Sequence, residues 1–523
     1  MDAAKLTDDH GPLIAAFRLS HFTISTQSDS AQLYFDQGLS QLYAFNHGEA
    51  GRSFKTAMRL DPDAAMTYWG MAMVLGPNYN AALNPEALGQ INETLGKAHT
   101  KSAKTSPKEK QLIEALSKRF PSGPVDDITP YNTAYSEAMA KLHAAYPDDV
   151  EIGVLYADAL MNEHPWNFWN KDGSPQPWTN HTMNELEKLL ERWPEHPGLI
   201  HYYIHLTEAS KHADKALPYA DKLGELAKKN GHLVHMPSHT YIRNGQYHKG
   251  VLVNEVAAQA DSAYVNQCKA SGFYPMLLYP HNVHFLAACA YLEGNSSKAI
   301  KAAWEVSNLA DRQYLGESIT LQHYFNIPYY VLPQFEKWDE ILRLPTPGDS
   351  LLYPTALWHY ARGMAYCGKG DLPSARKELE GIQKIAVTNV LEKQLIWDIN
   401  NAQQLAEIAL RLLEGEILMK DGEAGKAIPI LKEAVDIEDK LYYTEPPDWF
   451  FSVRLSLGKC LLITGQAAEA EKIYSEDLQN FAENGWALHG LYKARLAQNK
   501  KDSAADAYAR YEKAWQWADF KLK

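Results

Sequence analysis

The stretch YFDQGLSQLYAFNHGEAGRSFKTAMRLDP, residues 34–62, sets a spacing that recurs along the chain. Small residues and one aromatic ring stand in it at fixed intervals, and a proline closes it: Gly38, Ala50, Phe54, Ala57 and Pro62. Helices that cross closely need small side chains at the crossing, and proline follows a helix more readily than it continues one. The stretch therefore predicts a pair of closely packed helices.

The same intervals return three times in the C-terminal third of the chain. They are carried by three sets of residues: Gly363, Tyr366, Ala375 and Leu379; Gly415, Ala427, Leu431 and Ala434; Gly458, Ala470 and Tyr474. Self-similarity of this kind is typical of repeat architectures, and these intervals resemble those of tetratricopeptide (TPR) proteins. The pattern of alternating apolar residues that indicates strands is nearly missing. We therefore expect an all-α fold, and the resemblance implies a right-handed superhelical solenoid of TPR-like helix hairpins.

Breaks in this rhythm divide the chain into four predicted segments. Residues 1–100 read as N-terminal TPR-like repeats, and residues 101–182 as divergent helices with loop insertions. Residues 183–345 read as central repeats with a histidine-rich groove, and residues 346–523 as C-terminal repeats.

The amino-acid composition excludes several classes of function. The 523 residues are 46% hydrophobic and 22% charged, a globular balance, and the net charge of -13 disfavours nucleic acid as a partner. No apolar run is long enough to span a membrane. Four scattered cysteines show no spacing typical of a thiolate zinc site. The N-terminus lacks a signal-peptide pattern, which predicts a cytoplasmic protein, or an exported one whose signal peptide has been removed.

Histidines are concentrated in three phrases: HYYIHLTE at 201–208, GHLVHMPSHTY at 231–241 and HNVHF at 281–285. Spacings of three and four residues place the imidazoles of each phrase on one helical face. In the TPR proteins that the chain resembles, the corresponding positions face the concave groove. Three helices agree in this, so we predict a metal site whose ligands are His201, His205, His235, His239, His281 and His284.

Imidazole ligands with a carboxylate favour copper, iron or zinc over calcium or magnesium. The candidates outnumber the ligands of one ion, so either two ions bind or the remaining residues act as acid, base or support. We assign Glu208 and His232 to ligand or acid–base roles. Arg243 is a candidate for steering an anionic group, and Tyr241 is a candidate proton donor that could instead serve only in packing.

A second candidate feature is the insertion EHPWNFWNKDGSPQPWTNHT, residues 163–182. It is longer than an ordinary connection between helices, and it brings aromatic and polar side chains that could cover the groove: Glu163, His164, Trp166, Trp169 and Trp178. The alternative is that these aromatic rings fill a gap between repeats. His323 falls at a groove-facing position of the next repeat. We predict a substrate pocket lined by this residue and by four residues of the insertion: Glu163, His164, Trp166 and Trp169.

The three histidine phrases also resemble those of a group of bacterial TPR-repeat proteins, which implies the fold without implying an activity. Three functions stay open. The first is a metalloenzyme that oxidises, or less readily hydrolyses, a small molecule or peptide. The second is an adaptor that binds a protein or peptide in the groove, and the third is a protein of metal storage or delivery.

Overall fold

The computed structural model describes residues 11–348 and 350–522, so the first ten residues of the predicted N-terminal segment lie outside the described part. The chain divides into two compact units. Unit 1 comprises Met1–Thr240 and Val256–Tyr279, and unit 2 comprises Tyr241–Glu255 and Pro280–Lys523. The finer division into four segments stays a prediction.

The first eleven helices belong to unit 1. They are α1 (Asp29–Tyr43), α2 (His47–Leu60), α3 (Ala65–Leu75), α4 (Leu88–Lys101), α5 (Pro107–Ser117), α6 (Thr129–Ala145), α7 (Val150–Met161), α8 (Thr179–Arg192), α9 (Pro197–Thr207), α10 (Leu217–Leu226) and α11 (Gly231–His235). The chain passes from one unit to the other within the next three, α12 (Pro237–Arg243), α13 (Tyr247–Cys268) and α14 (Tyr279–Leu292).

The last eleven helices belong to unit 2. They are α15 (Ser296–Leu309), α16 (Ile319–Gln334), α17 (Trp338–Arg343), α18 (Leu352–Lys369), α19 (Leu372–Ala386), α20 (Ala402–Lys420), α21 (Ala424–Glu438), α22 (Val453–Ile463), α23 (Ala467–Asn480), α24 (Gly485–Ala497) and α25 (Lys501–Ala514). The strands are two short antiparallel ones, β1 (Leu395–Ile396) and β2 (Asn400–Asn401).

Short helical turns connect several of these elements. The 3₁₀ turns are Ala15–Phe17, Pro85–Ala87, Ser102–Lys104, Ala213–Ala216, Arg312–Tyr314 and Val390–Lys393, and one π-helical turn spans Tyr274–Leu278. No described helix is both long and apolar enough to cross a membrane.

Helices within each unit pack as successive hairpins. In unit 2, α18 packs on α19, α20 on α21, and α22 on α23, while the first helices of these pairs contact one another in the order α18, α20, α22, α24. In unit 1, α1 packs on α2, and α2 on α3. A helix that contacts both its partner and the equivalent helix of the next pair is the packing expected of a helical repeat. The all-α repeat fold is thereby confirmed.

Glycines of neighbouring first helices lie where these helices pack against an aromatic ring of the second helix. An added Cβ at Gly38 of α1 would lie 2.6 Å from the Phe54 ring, and one at Gly70 of α3 would lie 2.5 Å from it. Tyr474 of α23 lies in the same way between Gly458 and Gly490. Those distances leave no room for a side chain at the crossings, which explains the glycine-to-aromatic interval in the sequence.

Unit 1 also contains a contact between elements far apart in the chain. Helix α1 packs against α9 as well as against its sequence neighbours. Tyr43, at the C-terminal end of α1, lies against Tyr202 of α9, with ring centroids 6.4 Å apart. The end of the first hairpin therefore lies beside the first histidine phrase.

Phe54→Ala should lower the free energy of unfolding by about 3–5 kcal/mol, because the change leaves a cavity between α1, α2 and α3. Urea denaturation followed by circular dichroism measures the loss. Leu60→Ala on the same helix is the matched control, since Leu60 is 44% exposed. Equal losses for the two variants would show that the crossing does not depend on this ring.

Candidate metal centre

The first two histidines of the cluster project from α9. Pro197 opens this helix, and the His196 side chain accepts a hydrogen bond from the Leu199 amide at its N-terminus. His201 and His205 follow one turn apart and are both buried. Glu208 stands at the C-terminal cap of the same helix, also buried, so α9 presents two imidazoles and one carboxylate on one side.

The second histidine phrase forms two short helices where the sequence suggested one. Helix α11 ends at His235, and α12 begins at Pro237, because proline has no backbone N–H to continue the ladder. His232 and His235 therefore belong to α11 and His239 to α12. The Nε2 atoms of His235 and His239 still lie 2.8 Å apart, so the interruption keeps these two rings together.

The Glu208 carboxylate joins the two phrases. Its Oε1 accepts from Nδ1 of His205 at 2.9 Å, and its Oε2 accepts from Nδ1 of His239 in a short hydrogen bond. An imidazole that donates through Nδ1 keeps its lone pair on Nε2 when neutral. The Nε2 atom of His205 is buried and has no hydrogen-bond partner among the residues that the structure describes.

His201 is fixed in the same tautomer by the backbone. Its Nδ1 lies 2.6 Å from the carbonyl oxygen of Tyr43, which can only accept, so Nδ1 carries the proton. The Nε2 of His201 then lies 3.2 Å from Nε2 of His232. Ligand atoms bound at about 2.0–2.1 Å to a tetrahedral ion lie roughly 3.4 Å apart, which is close to this separation.

Two groups of three side chains in unit 1 place ligand atoms within 4.8 Å of one another. The first group is His201, His205 and His232, and the second is His205, Glu208 and His239. The described residues thus include His and Glu side chains placed closely enough to hold a metal ion.

Burial keeps the α9 imidazoles neutral. Desolvation lowers the pKa of His205 from 6.5 to about 3. The pKa of His201 lies well below its usual value, mainly through desolvation and also through the nearby His205, although the hydrogen bond to the Tyr43 carbonyl opposes the shift. Neutral imidazole is the form that binds a metal, so no proton has to be displaced at pH 7.

Three aromatic rings enclose the imidazoles. The Phe45 ring lies 4.4 Å from that of His201 and 5.7 Å from that of His205. Tyr79 lies 5.2 Å from His205 and stacks on Trp166 at 5.1 Å. Trp166 also contacts the His205 ring edge-on at 5.8 Å while 37% exposed. The cluster is therefore separated from solvent on this side by one indole ring.

Other residues of the 163–182 insertion make contacts that hold its backbone in position. The Trp169 indole donates to the Leu206 carbonyl of α9 at 2.6 Å. Trp178 stacks on His164 at 3.8 Å, and burial lowers the pKa of His164.

Glu163 accepts hydrogen bonds from Thr133 and Ser136 of α6. Its carboxylate therefore anchors the start of the insertion on a neighbouring helix of unit 1.

Two predicted ligands belong to unit 2. The His281 ring contacts those of Phe285 and Trp397. The His284 ring lies 5.4 Å from that of His323, the residue assigned from sequence to the substrate pocket. The two units are described separately, so a shared site of His281 or His284 with the unit 1 cluster stays a prediction.

Tyr241 and Arg243 also belong to unit 2. The Lys249 ammonium lies 5.2 Å from the centroid of the Tyr241 ring, and the Arg243 guanidinium lies 5.5 Å from that of Tyr443. Both contacts are cation–π interactions. The proton-donor and anion-steering roles of Tyr241 and Arg243 stay predictions.

Sequence reasoning missed the residues that orient and enclose the cluster. The Tyr43 carbonyl, Phe45 and Tyr79 come from the end of α1 and the loop after α3, more than 100 residues before the histidine phrases. A backbone carbonyl leaves no residue-type signal. Phe45 gives no sequence signal either, since its positive φ of 55°, which is unusual for an aromatic residue, is a property of the structure.

Comparisons with known proteins concern the fold alone. Yeast Tom70 matches with 13% identity over 91% of this chain and 90% of its own, at a TM-score of 0.30. Human IFIT1, as a dimer with m7Gppp-AAAA, matches with 12% identity over 94% of this chain and 91% of its own, at 0.33. The TPR domain of P58(IPK) matches with 13% identity over 90% and 99%, at 0.24. No protein-family model and no curated protein matches the chain. Similarity this low carries no argument about the site.

His205→Gln should make the metal-free protein less sensitive to acid. The folded-state pKa of about 3 lies below the unfolded value of 6.5, so stability falls as pH drops through that window, while the unfolded chain takes up the proton. The loss is about 1.4 kcal/mol per pH unit for one such imidazole, and the variant should lack it. Urea denaturation with a chelator at several pH values measures the slope. His181→Gln, at an exposed position of α8, is the control, and equal slopes for both variants would contradict the assignment.

Proposed function

We propose that this protein is a metal-dependent enzyme of TPR-like fold, with a transition-metal ion bound by His201, His205 and His232. One observation carries the proposal: two imidazole nitrogens on separate helices lie 3.2 Å apart, and a nitrogen of a third lies within 4.8 Å of each. Surface histidines brought together by chance would retain their water. These three side chains are buried, and the buried Nε2 of His205 makes no hydrogen bond to any described residue, which is unfavourable unless a ligand contacts it.

Orientation of the rings supports the ligand assignment. Metal-binding histidines usually donate their second nitrogen to a carboxylate or carbonyl, which fixes the tautomer and the ring plane. His201 has the Tyr43 carbonyl in that place, and His205 has Glu208. We infer that Glu208 supports these ligands, while its ligand or acid–base role stays a prediction.

The chemistry of the three ligands limits which metal ions the site can bind. Three imidazoles without a thiolate suit copper, iron or zinc. Three protein ligands also leave a position for water or substrate, which distinguishes catalytic sites from closed structural ones. A bound ion of this kind acts as a Lewis acid or as a redox centre, and we favour oxidation of a small molecule over hydrolysis because no carboxylate in the group is free to act as a base.

His239 and His235 extend the cluster beyond the three ligands. Glu208 holds Nδ1 of His239, whose Nε2 faces Nε2 of His235 at 2.8 Å. We infer that this pair accepts or relays a proton beside the ion, since neighbouring imidazoles at hydrogen-bond distance can pass one proton between them.

The Trp166 and Tyr79 rings that lie over the histidine cluster favour an enzyme over a storage protein. Storage requires rapid exchange of the ion, whereas buried ligands beneath Trp166 and Tyr79 slow it. Trp166 also adopts a positive φ of 59°, a conformation that costs roughly 1–3 kcal/mol for a residue other than glycine. We infer that the Trp166 indole is held in this position because it forms one wall of the substrate site.

Elemental analysis tests the ligand set directly. The purified protein should carry a transition metal, and His201→Ala or His205→Ala should each remove about one equivalent per chain. His47→Ala is the matched control, because His47 is a half-buried unit 1 histidine whose ring contacts the Val74 carbonyl and the Asn78 amide. If both ligand variants keep the full metal content, the ligand set is wrong. Protein that takes up no copper, iron or zinc would favour a peptide-binding adaptor.

Azide binding distinguishes an open site from a closed one. Wild-type protein loaded with Cu(II) should develop an azide-dependent absorption band, since three protein ligands leave a position for an exogenous anion. Trp166→Ala should keep the metal and bind azide at least several-fold faster, because the ring that separates the cluster from solvent is gone. Trp178→Ala, in the same insertion and stacked on His164, is the control. A metal-loaded protein that gives no azide band would indicate a closed structural ion.

A further inference from the structure

Unit 2 contains a buried connection between helices that the proposed function does not use. Residues 444–452, TEPPDWFFS, which we call the strap, lie between α21 and α22 and form neither helix nor strand. Connections of this kind normally run over the surface of a protein. The side chains of Trp449, Phe450 and Phe451 are nevertheless at most 4% exposed. The strap is therefore packed inside unit 2 as an extended segment.

The aromatic rings of the strap lie against three helices of unit 2. The Phe451 ring lies 4.7 Å from that of Tyr291 in α14 and 5.8 Å from that of Tyr330 in α16. The Trp449 ring lies 5.0 Å from that of Tyr330 and 5.8 Å from that of Tyr360 in α18. Helices α16 and α18 also pack against each other. The strap therefore crosses neighbouring helices, and their tyrosine rings form the sites that hold its aromatic side chains.

Asn400 of β2 holds the chain that enters the strap by its backbone. The Asn400 side-chain amide donates to the Tyr442 carbonyl at 2.9 Å, and its Oδ1 accepts from the Tyr442 amide at 2.8 Å. The same side-chain amide donates to Oδ2 of Asp448 at 2.9 Å. Hydrogen bonds to the main chain, together with sites for selected side chains, are how proteins bind extended peptides. Unit 2 holds the strap in this way.

Two histidines beside the strap keep a nitrogen that the strap does not satisfy. Nε2 of His323 lies 3.9 Å from Oδ1 of Asp448, which is beyond hydrogen-bond distance, and the His284 ring lies 5.5 Å from that of Phe450. The Nε2 atoms of both histidines are buried and make no hydrogen bond to any residue that the structure describes, which is unfavourable. A different extended segment that supplies hydrogen-bonding groups at these two nitrogens can therefore compete with the strap.

We propose that the strap is a displaceable intramolecular ligand of unit 2, and that its site on α14, α16 and α18 binds an extended peptide of the same kind when the strap leaves. The strap defines the chemistry of that peptide as an acidic residue followed at once by aromatic residues, as in DWFF at 448–451. Its tether gives the bound strap an effective concentration on the order of millimolar, which closes the site to weak ligands. The proposal does not depend on a metal in unit 1, because these residues belong to unit 2.

Fluorescence anisotropy with a labelled synthetic peptide of residues 442–452, YYTEPPDWFFS, tests the proposal. Trp449→Ala combined with Phe450→Ala in the full chain removes two rings that hold the strap. This double variant should bind the peptide at least about tenfold more tightly than wild-type protein, because the tethered competitor is weakened. Tyr442→Ala is the matched control, since that side chain is 67% exposed at the entry to the strap, and it should behave as wild type. A peptide with alanine at the same two ring positions is the control ligand and should not bind.

Circular dichroism of the variants completes the test, and each outcome decides it. Phe450→Ala alone takes the place of the double variant if the latter loses its helical signal. A folded variant that binds no peptide would show that the strap is a fixed part of the core, and the proposal would be wrong. Equal binding by wild-type protein and the variant would show that the peptide binds elsewhere. Loss of the helical fold in both variants also overturns the proposal, because unit 2 would then require the strap in order to fold.

Discussion

The arrangement of unit 1 depends on one buried carboxylate that holds two imidazoles. Glu208 accepts from His205 on its own helix and from His239 on α12. A carboxylate buried without such donors would be strongly destabilising. The two hydrogen bonds stabilise its charge and at the same time aim two Nε2 atoms into the cluster. The same two hydrogen bonds therefore compensate the charge of Glu208 and orient the rings of His205 and His239, so one effect cannot be changed without the other.

The fold could be read from the sequence because it depends on local spacing. The glycine-to-ring interval of residues 34–62 follows from a single crossing, so any chain that forms the crossing must show it. Helical periodicity likewise placed His201 and His205 on one side of α9. The break at Pro237 was also readable in principle, since proline inside a helical pattern interrupts the backbone ladder. The orientation of the rings was not readable, because it depends on Tyr43 and Phe45, which the contact between α1 and α9 brings close.

A repeat fold suits buried polar groups of this kind. Its stability is distributed over many interfaces between neighbouring helices, so no single interface must be wholly apolar. Unit 1 and unit 2 each bury histidines whose pKa values are depressed to about 3 by desolvation, namely His205 and His323. Aromatic rings contact both histidines: Phe45 lies 5.7 Å from His205, and Tyr330 lies 5.9 Å from His323. The helical hairpins around these buried histidines hold the imidazole rings in place.

The contact between α1 and α9 has a consequence for biosynthesis. His201 receives its orientation from the carbonyl of Tyr43, which the ribosome has added 158 residues earlier. Helix α1 can form as soon as it emerges, but the closure with α9 must wait for the whole intervening chain, and such long-range closures are slow steps in folding. The imidazoles that α9 contributes are therefore exposed and unoriented on the nascent chain. On the proposed function, an ion can be bound by unit 1 only after this closure, when a loop of more than 150 residues has brought both ends of the site together.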